Sequence, residues 1–123
     1  MTVQPRRESP IFVRTYDWLH WLLPLTLQFP KSQRFLMAQR LQQKSLNFYD
    51  HLVAAGRRVD VAENLQQADV LLEQIRLNMR LSREMNLFSL RQYEHAARLL
   101  DEIGRLLGGW LVKQKGPKDG GNP

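Results

Sequence analysis

The sequence predicts an all-α protein, an antiparallel up-down four-helix bundle, on three observations. Apolar residues recur at spacings of three and four through four separate segments, the links between those segments are short, and runs of alternating polarity bounded by paired turns are absent. A chain of 123 residues, 43% of them hydrophobic, can fill one core and hardly two. A single bundle domain is therefore expected over residues 9–115, between a flexible N-terminus, 1–8, and a disordered tail, 116–123, that lacks an apolar anchor.

The first segment opens at Ser9-Pro10, a capping residue followed by proline at the first helical position, where its missing N–H costs nothing. It runs to about Phe29, with a kink expected at Pro24, which has no N–H to reach back to His20. Tyr16, Trp18, Trp21 and Phe29 lie there among leucines, so burial is expected for them, within the bundle or between subunits, rather than stacking on bases. A small bundle buries only one stripe of each helix, and a helix apolar on nearly all sides is a modest argument for oligomerisation.

Ser32 is expected to cap the second segment, whose stripe is Phe35, Ala38, Leu41, Ser45, Phe48 and Leu52 and whose end is Ala55-Gly56. Asp60 and Glu63 are spaced as a variant capping box for the third, with Leu65, Ala68, Leu72, Ile75 and Met79 facing inward and a break expected near Asn86. Ser89 and Gln92 repeat that spacing before the fourth, whose stripe is Tyr93, Ala96, Leu100, Ile103, Leu107 and Trp110. Gly104 and Gly108 cost this helix about 1 kcal/mol each relative to alanine. Spaced by four, they leave a flat strip that another helix can approach, from the same bundle or from a neighbouring subunit. Trp110 beside them is either a lid on the core or an interface anchor.

Eighteen Lys and Arg against twelve Asp and Glu leave a net charge of +6, which favours polyanionic partners, nucleic acid before anionic membrane. The charge is sorted along the chain. Residues 59–73 hold four acids and no base, and QIRLNMRLSR directly after them holds three arginines, Arg76, Arg80 and Arg83, and no acid. Residues three and four apart are helix-surface neighbours, so this row repels itself unless an anion faces it. The plainer reading is a solvated face eased by Glu73, Glu84 and the helix C-terminus; the functional reading is a phosphate-binding ridge, which arginine's planar fork suits.

Arg91, Arg98 and Arg105 form a second row for which structural pairing with Glu94, Glu102 and Asp101 is the stronger expectation. Arg40 and Lys44 make a like-charged pair on the second helix, within a stretch that has no acid between Asp17 and Asp50. Arg57-Arg58 is a basic loop of the kind that usually serves solubility.

Other function classes find little support. The absence of cysteine removes disulfides and thiolate sites and is compatible with a reducing cytoplasm. The apolar run at residues 18–29 is too short to span a bilayer, and Arg6-Arg7 is not followed by an export leader's uncharged core and cleavage site, so a cytoplasmic protein with no membrane partner is expected. His20, His51 and His95 stand apart from any nucleophile, metal-ligand set or phosphate loop. A non-enzyme without metal or cofactor is expected.

TYDWLHWLLPLTLQFPKSQRF, IRLNMRL and EIGRLLGGWL, in that order and spacing, resemble the accessory variability determinants (Avd) of diversity-generating retroelements over about residues 14–112. FPKSQRFLMAQRLQQKSLNFYDHLVAAG is also similar to sibling four-helix proteins encoded in ribosomal RNA intervening sequences. There the second helix ends in an Asn-Ile-Ala-Glu-Gly-like run, where this chain has His51-Leu52-Val53-Ala54-Ala55-Gly56, a departure that favours Avd. The resemblance implies a ring-like homo-oligomer, a pentamer, with a basic surface that binds RNA or DNA and a reverse transcriptase as partner. Arg76 and Arg80 match the family's arginine pair, and Arg105 lies in the family-like GRLLGGW; Arg83, Arg40 and Lys44 are candidates on position and charge alone. Trp18, Trp21, Gly104, Gly108 and Trp110 are the candidate oligomer contacts. The alternatives are an intervening-sequence-type bundle, a structural scaffold for an acidic protein, or a peripheral binder of anionic lipid.

Overall fold

A computed structural model describes residues 9–121. Four long helices make up the fold: α1 (Pro10–Thr26), α2 (Gln39–Gly56), α3 (Val61–Glu84) and α4 (Leu90–Gly121). A helical turn (Lys31–Gln33) and a π-helical segment (Arg34–Ala38) lead into α2. No strand occurs among the described residues. Side-chain pairings fix the direction of each helix. Phe12 meets Tyr49, Trp18 meets Ser45 and Thr26 meets Gln42, so α2 descends as α1 rises. His51 with Asn64 and Lys44 with Gln74 set α3 antiparallel to α2; Arg76 with Leu100 sets α4 antiparallel to α3, and Trp21 with Phe88 and Arg14 with Glu102 set it antiparallel to α1. The bundle is up-down, each helix packing on its chain neighbours and α4 closing against α1.

The core follows the expected stripes of α3 and α4: Leu65, Ala68, Leu72, Ile75 and Met79 face Ala96, Leu100, Ile103 and Leu107. Trp18 lies inside at 1% exposure and donates its indole N–H to Ser45 Oγ at 3.0 Å. That bond explains the one polar residue on the α2 stripe, since a buried indole N–H without a partner is costly.

Several local expectations are corrected. α1 ends at Thr26, not Phe29: Leu27 N–H returns to Leu23 O, and Thr26 Oγ1, donating to Leu23 O, accepts from Gln42, closing the helix one turn after Pro24. Ser32 is not a cap; Pro30 holds that position and Ser32 lies in the turn after it. Phe35 is 78% exposed rather than buried, because the π segment inserts a residue into the helical count and advances the inward stripe to Met37 and Ala38. Tyr16 is 60% exposed, stacked on His20. At the start of α3, Asp60 adopts a left-handed conformation (φ 40°) and makes no side-chain cap bond; Asn64 holds the turn instead, donating to Val59 O and Asp60 O.

Ser89 and Gln92 form the expected capping box: Gln92 N–H donates to Ser89 Oγ at 3.0 Å, and Ser89 N–H to Gln92 Oε1 at 2.9 Å. α2 and α3 both end in a Schellman turn. In one, Arg58 stands left-handed (φ 69°), with Arg58 N–H to Ala55 O and Val59 N–H to Ala54 O; in the other, Asn86 (φ 63°) places its N–H on Arg83 O, and Leu87 N–H reaches Ser82 O. α4 continues through Lys115 and is broken at Gly116 (φ 72°), a conformation suited to glycine. The break falls where the expected tail, 116–123, begins, although helical backbone resumes as far as Gly121. The expected flexible N-terminus, 1–8, and residues 122–123 lie outside the described residues.

Candidate nucleic-acid interface

The long α3 displays the arginine row. At 100° per residue, Arg76, Arg80 and Arg83 fall within one quarter of its circumference, on the side facing α4. The three are not equivalent. Arg76 lies across Gly104, donates from Nη2 to Leu100 O at 3.1 Å and is 4.0 Å from Asp101 Oδ1; its Nε is buried without a partner. A Cβ at position 104 would collide with Nη2, so within the chain the space that Gly104 leaves open is taken by the Arg76 guanidinium. Arg80 is exposed and Arg83 half-buried. Neither approaches a carboxylate within 4.0 Å among the described residues.

The expected local ion pairs do not form. Arg14, not Arg98, takes Glu102 at 3.0 Å and also Asp17 at 2.7 Å, a bridge from α1 to α4 that raises the Arg14 pKa through its bonds to Glu102 and then Asp17. Asp101 turns toward Arg76 rather than Arg105. Sequence reasoning missed Arg14; its spacing to Asp17 was visible, but the α4 partner came only with the fold. Arg98 and Arg91 are exposed, with no carboxylate within 4.0 Å among the described residues. Arg105 is exposed too, beside a hollow of 400 Å3 walled by Asp69, Glu73 and Asp101, carboxylates that oppose an incoming phosphate. A second hollow of 270 Å3, lined by Arg80, Met79, Tyr93, Ala97 and Leu100, shares the carboxylates Glu73 and Asp101, neither of them within 4.0 Å of Arg80.

On α2, Arg40 is exposed, and Lys44 donates to Gln74 Oε1 at 3.0 Å, which ties its ammonium to α3 and leaves its other donors uncommitted. The candidate oligomer contacts also separate. Trp18 leaves no side-chain surface for a neighbour. Trp21 is half-buried in a nest with Trp18, Phe88 and His95, and Trp110 is half-buried against Phe12. Among the described residues, nothing from another helix comes within 4 Å of where a Cβ on Gly108 would stand.

The three histidines are dispersed: His20 lies on Tyr16, His51 Nδ1 is 2.7 Å from Asn64 Oδ1, and His95 packs on Trp21. Among the described residues no cluster of His, Asp or Glu could hold a metal ion, and no helix is long and apolar enough to cross a membrane.

What a bundle bearing such a ridge is related to is decided by its sequence. Residues 11–114 match the family described as bAvd-like. The chain belongs to that family. The match spans all four helices of the bAvd-like chain and stops just before the Gly116 break. A comparison with curated proteins found no similar sequence.

Proposed function

We propose that this bAvd-like chain is a non-catalytic, cytoplasmic accessory protein of a diversity-generating retroelement, which binds template RNA or its cDNA and associates with the reverse transcriptase during mutagenic cDNA synthesis. The observation that carries the reading is that Arg80 and Arg83 have no carboxylate within 4.0 Å among the described residues, on a chain of net charge +6. Guanidinium groups left without an internal counter-charge are free to take phosphate oxygens, and such contacts give affinity without reading base sequence. Arg76 plays a mixed part: one edge is spent on the Leu100 carbonyl, and the rest remains for a ligand. The protein's contribution is positioning and attraction, with polymerase chemistry left to the partner.

Assembly into a ring-like homo-oligomer, a pentamer, belongs to the same proposal. In its support, Val70, Leu77 and Leu81 are each about half exposed and lie along the outer face of α3, beside Arg80. The test takes the purified chain with RNA, single-stranded DNA and anionic vesicles in parallel, with a reverse transcriptase from the same kind of element as bait. The expected result is an oligomer by light scattering that binds both nucleic acids more tightly than vesicles and co-purifies with the polymerase. Preference for vesicles, or a monomer indifferent to nucleic acid, would contradict it.

A further inference from the structure

A groove of 1040 Å3 opens at the end of the bundle where α1 starts and α2 ends. Its walls are apolar and aromatic, with Phe12, Tyr49, Leu106 and Trp110 at their centre. Phe12 stands edge-on to both other rings, 6.5 Å from Tyr49 and 6.0 Å from Trp110, and Gly56 lets its ring lie close to α2. Among the described residues, the cations Arg57, Arg58 and Lys113 contribute to the lining and no carboxylate does. The two hollows along α3 and α4 both include Glu73 and Asp101, so the electrostatics of the end groove differ in kind from theirs.

A plainer account covers part of this: cations after Gly56 complement the negative end of α2. It covers Lys113 in the same way, in the last turn of α4 before the Gly116 break, but not the choice at position 58. There the backbone is left-handed, a conformation that costs a side chain such as arginine about 1 kcal/mol and that glycine or asparagine adopts readily.

We propose that this groove binds single-stranded nucleic acid, resting an unpaired base on its half-buried Tyr49 and Trp110 rings while the flanking phosphates meet Arg57, Arg58 and Lys113. This rests on the nucleic-acid reading above and adds a second contact region at the opposite end of α3 from Arg80 and Arg83. Aromatic rings suit a planar base better than an aliphatic peptide side chain, and a duplex keeps its bases stacked away from such a groove.

The test uses the full chain, a short single-stranded RNA containing a photoreactive uridine, the same sequence as a blunt duplex, and an acidic peptide with one phenylalanine. The variant combines Arg57→Ser, Arg58→Gly and Lys113→Gln, all at exposed positions that leave the core intact. Its affinity for the single strand should fall about 10-fold or more at fixed salt, with duplex affinity changing by less than about 3-fold. Crosslinks on the parent chain should map to Tyr49 or Trp110. Equal losses for strand and duplex, no loss for either, crosslinks confined to α3, or displacement of the strand by the peptide would each overturn the site while leaving the proposed function standing. Binding of neither RNA by the parent would overturn both.

Discussion

Arg58 and Asn86 occupy equivalent positions in two Schellman turns, yet only asparagine is at ease with positive φ. Arg58→Gly should therefore stabilise the bundle by about 1 kcal/mol, a rise of a few degrees in melting temperature, whereas Asn86→Ala should destabilise it by a similar amount. Calorimetry of both variants checks the pair. Gly104 makes a different demand. Gly104→Ala gains about 1 kcal/mol of helix propensity but pushes Arg76 off the Leu100 carbonyl, a charge-assisted bond worth at most about 1.5–3 kcal/mol and less at this half-exposed position. Stability should change by no more than about 1 kcal/mol, and RNA affinity should hold or rise as the guanidinium is released. A clear loss of affinity at unchanged stability would show that the tethered pose of Arg76 is the binding one.

The helix ends show how far local signals reach. Ser89 and Gln92 bond as their spacing predicts, because a capping box needs nothing beyond its own turn. Ser9 stands at the expected cap position of α1 without a side-chain bond, and Asp60 is displaced by Asn64, whose amide also meets His51 from α2. Ser89→Ala should accordingly cost about 1 kcal/mol in urea unfolding, and Ser9→Ala only a few tenths. The stripes of α3 and α4 were legible as far as their last turns, since uninterrupted 3.6-residue periodicity fixes which side faces in. The stripe at the start of α2 was not. One π turn shifts the register, and nothing in RFLMA marks it, so Phe35 passes from core to solvent.

For the whole molecule, four amphipathic segments with short links determine an up-down bundle, and that much could be read before any coordinates. The site was legible as a set of residues but not as a geometry. Spacing placed Arg76, Arg80 and Arg83 on one stripe, and only tertiary packing separates the tethered Arg76 from the two without a carboxylate partner. Local spacing also misassigned Glu102 and Asp101, because helices bring in closer partners, Arg14 and Arg76, from distant sequence. The same sorting of charge leaves a bundle in which, among the described residues, cations outnumber ion pairs.

The salt dependence of RNA affinity tests that claim most directly. Each phosphate neutralised steepens the log-log slope by about 0.7–0.9, so replacing Arg80→Gln and Arg83→Gln together should flatten it by about 1.5 while melting temperature holds. An unchanged slope and affinity in that double variant would show that the ridge on α3 is a solvated surface and that nucleic acid, if bound, is held elsewhere.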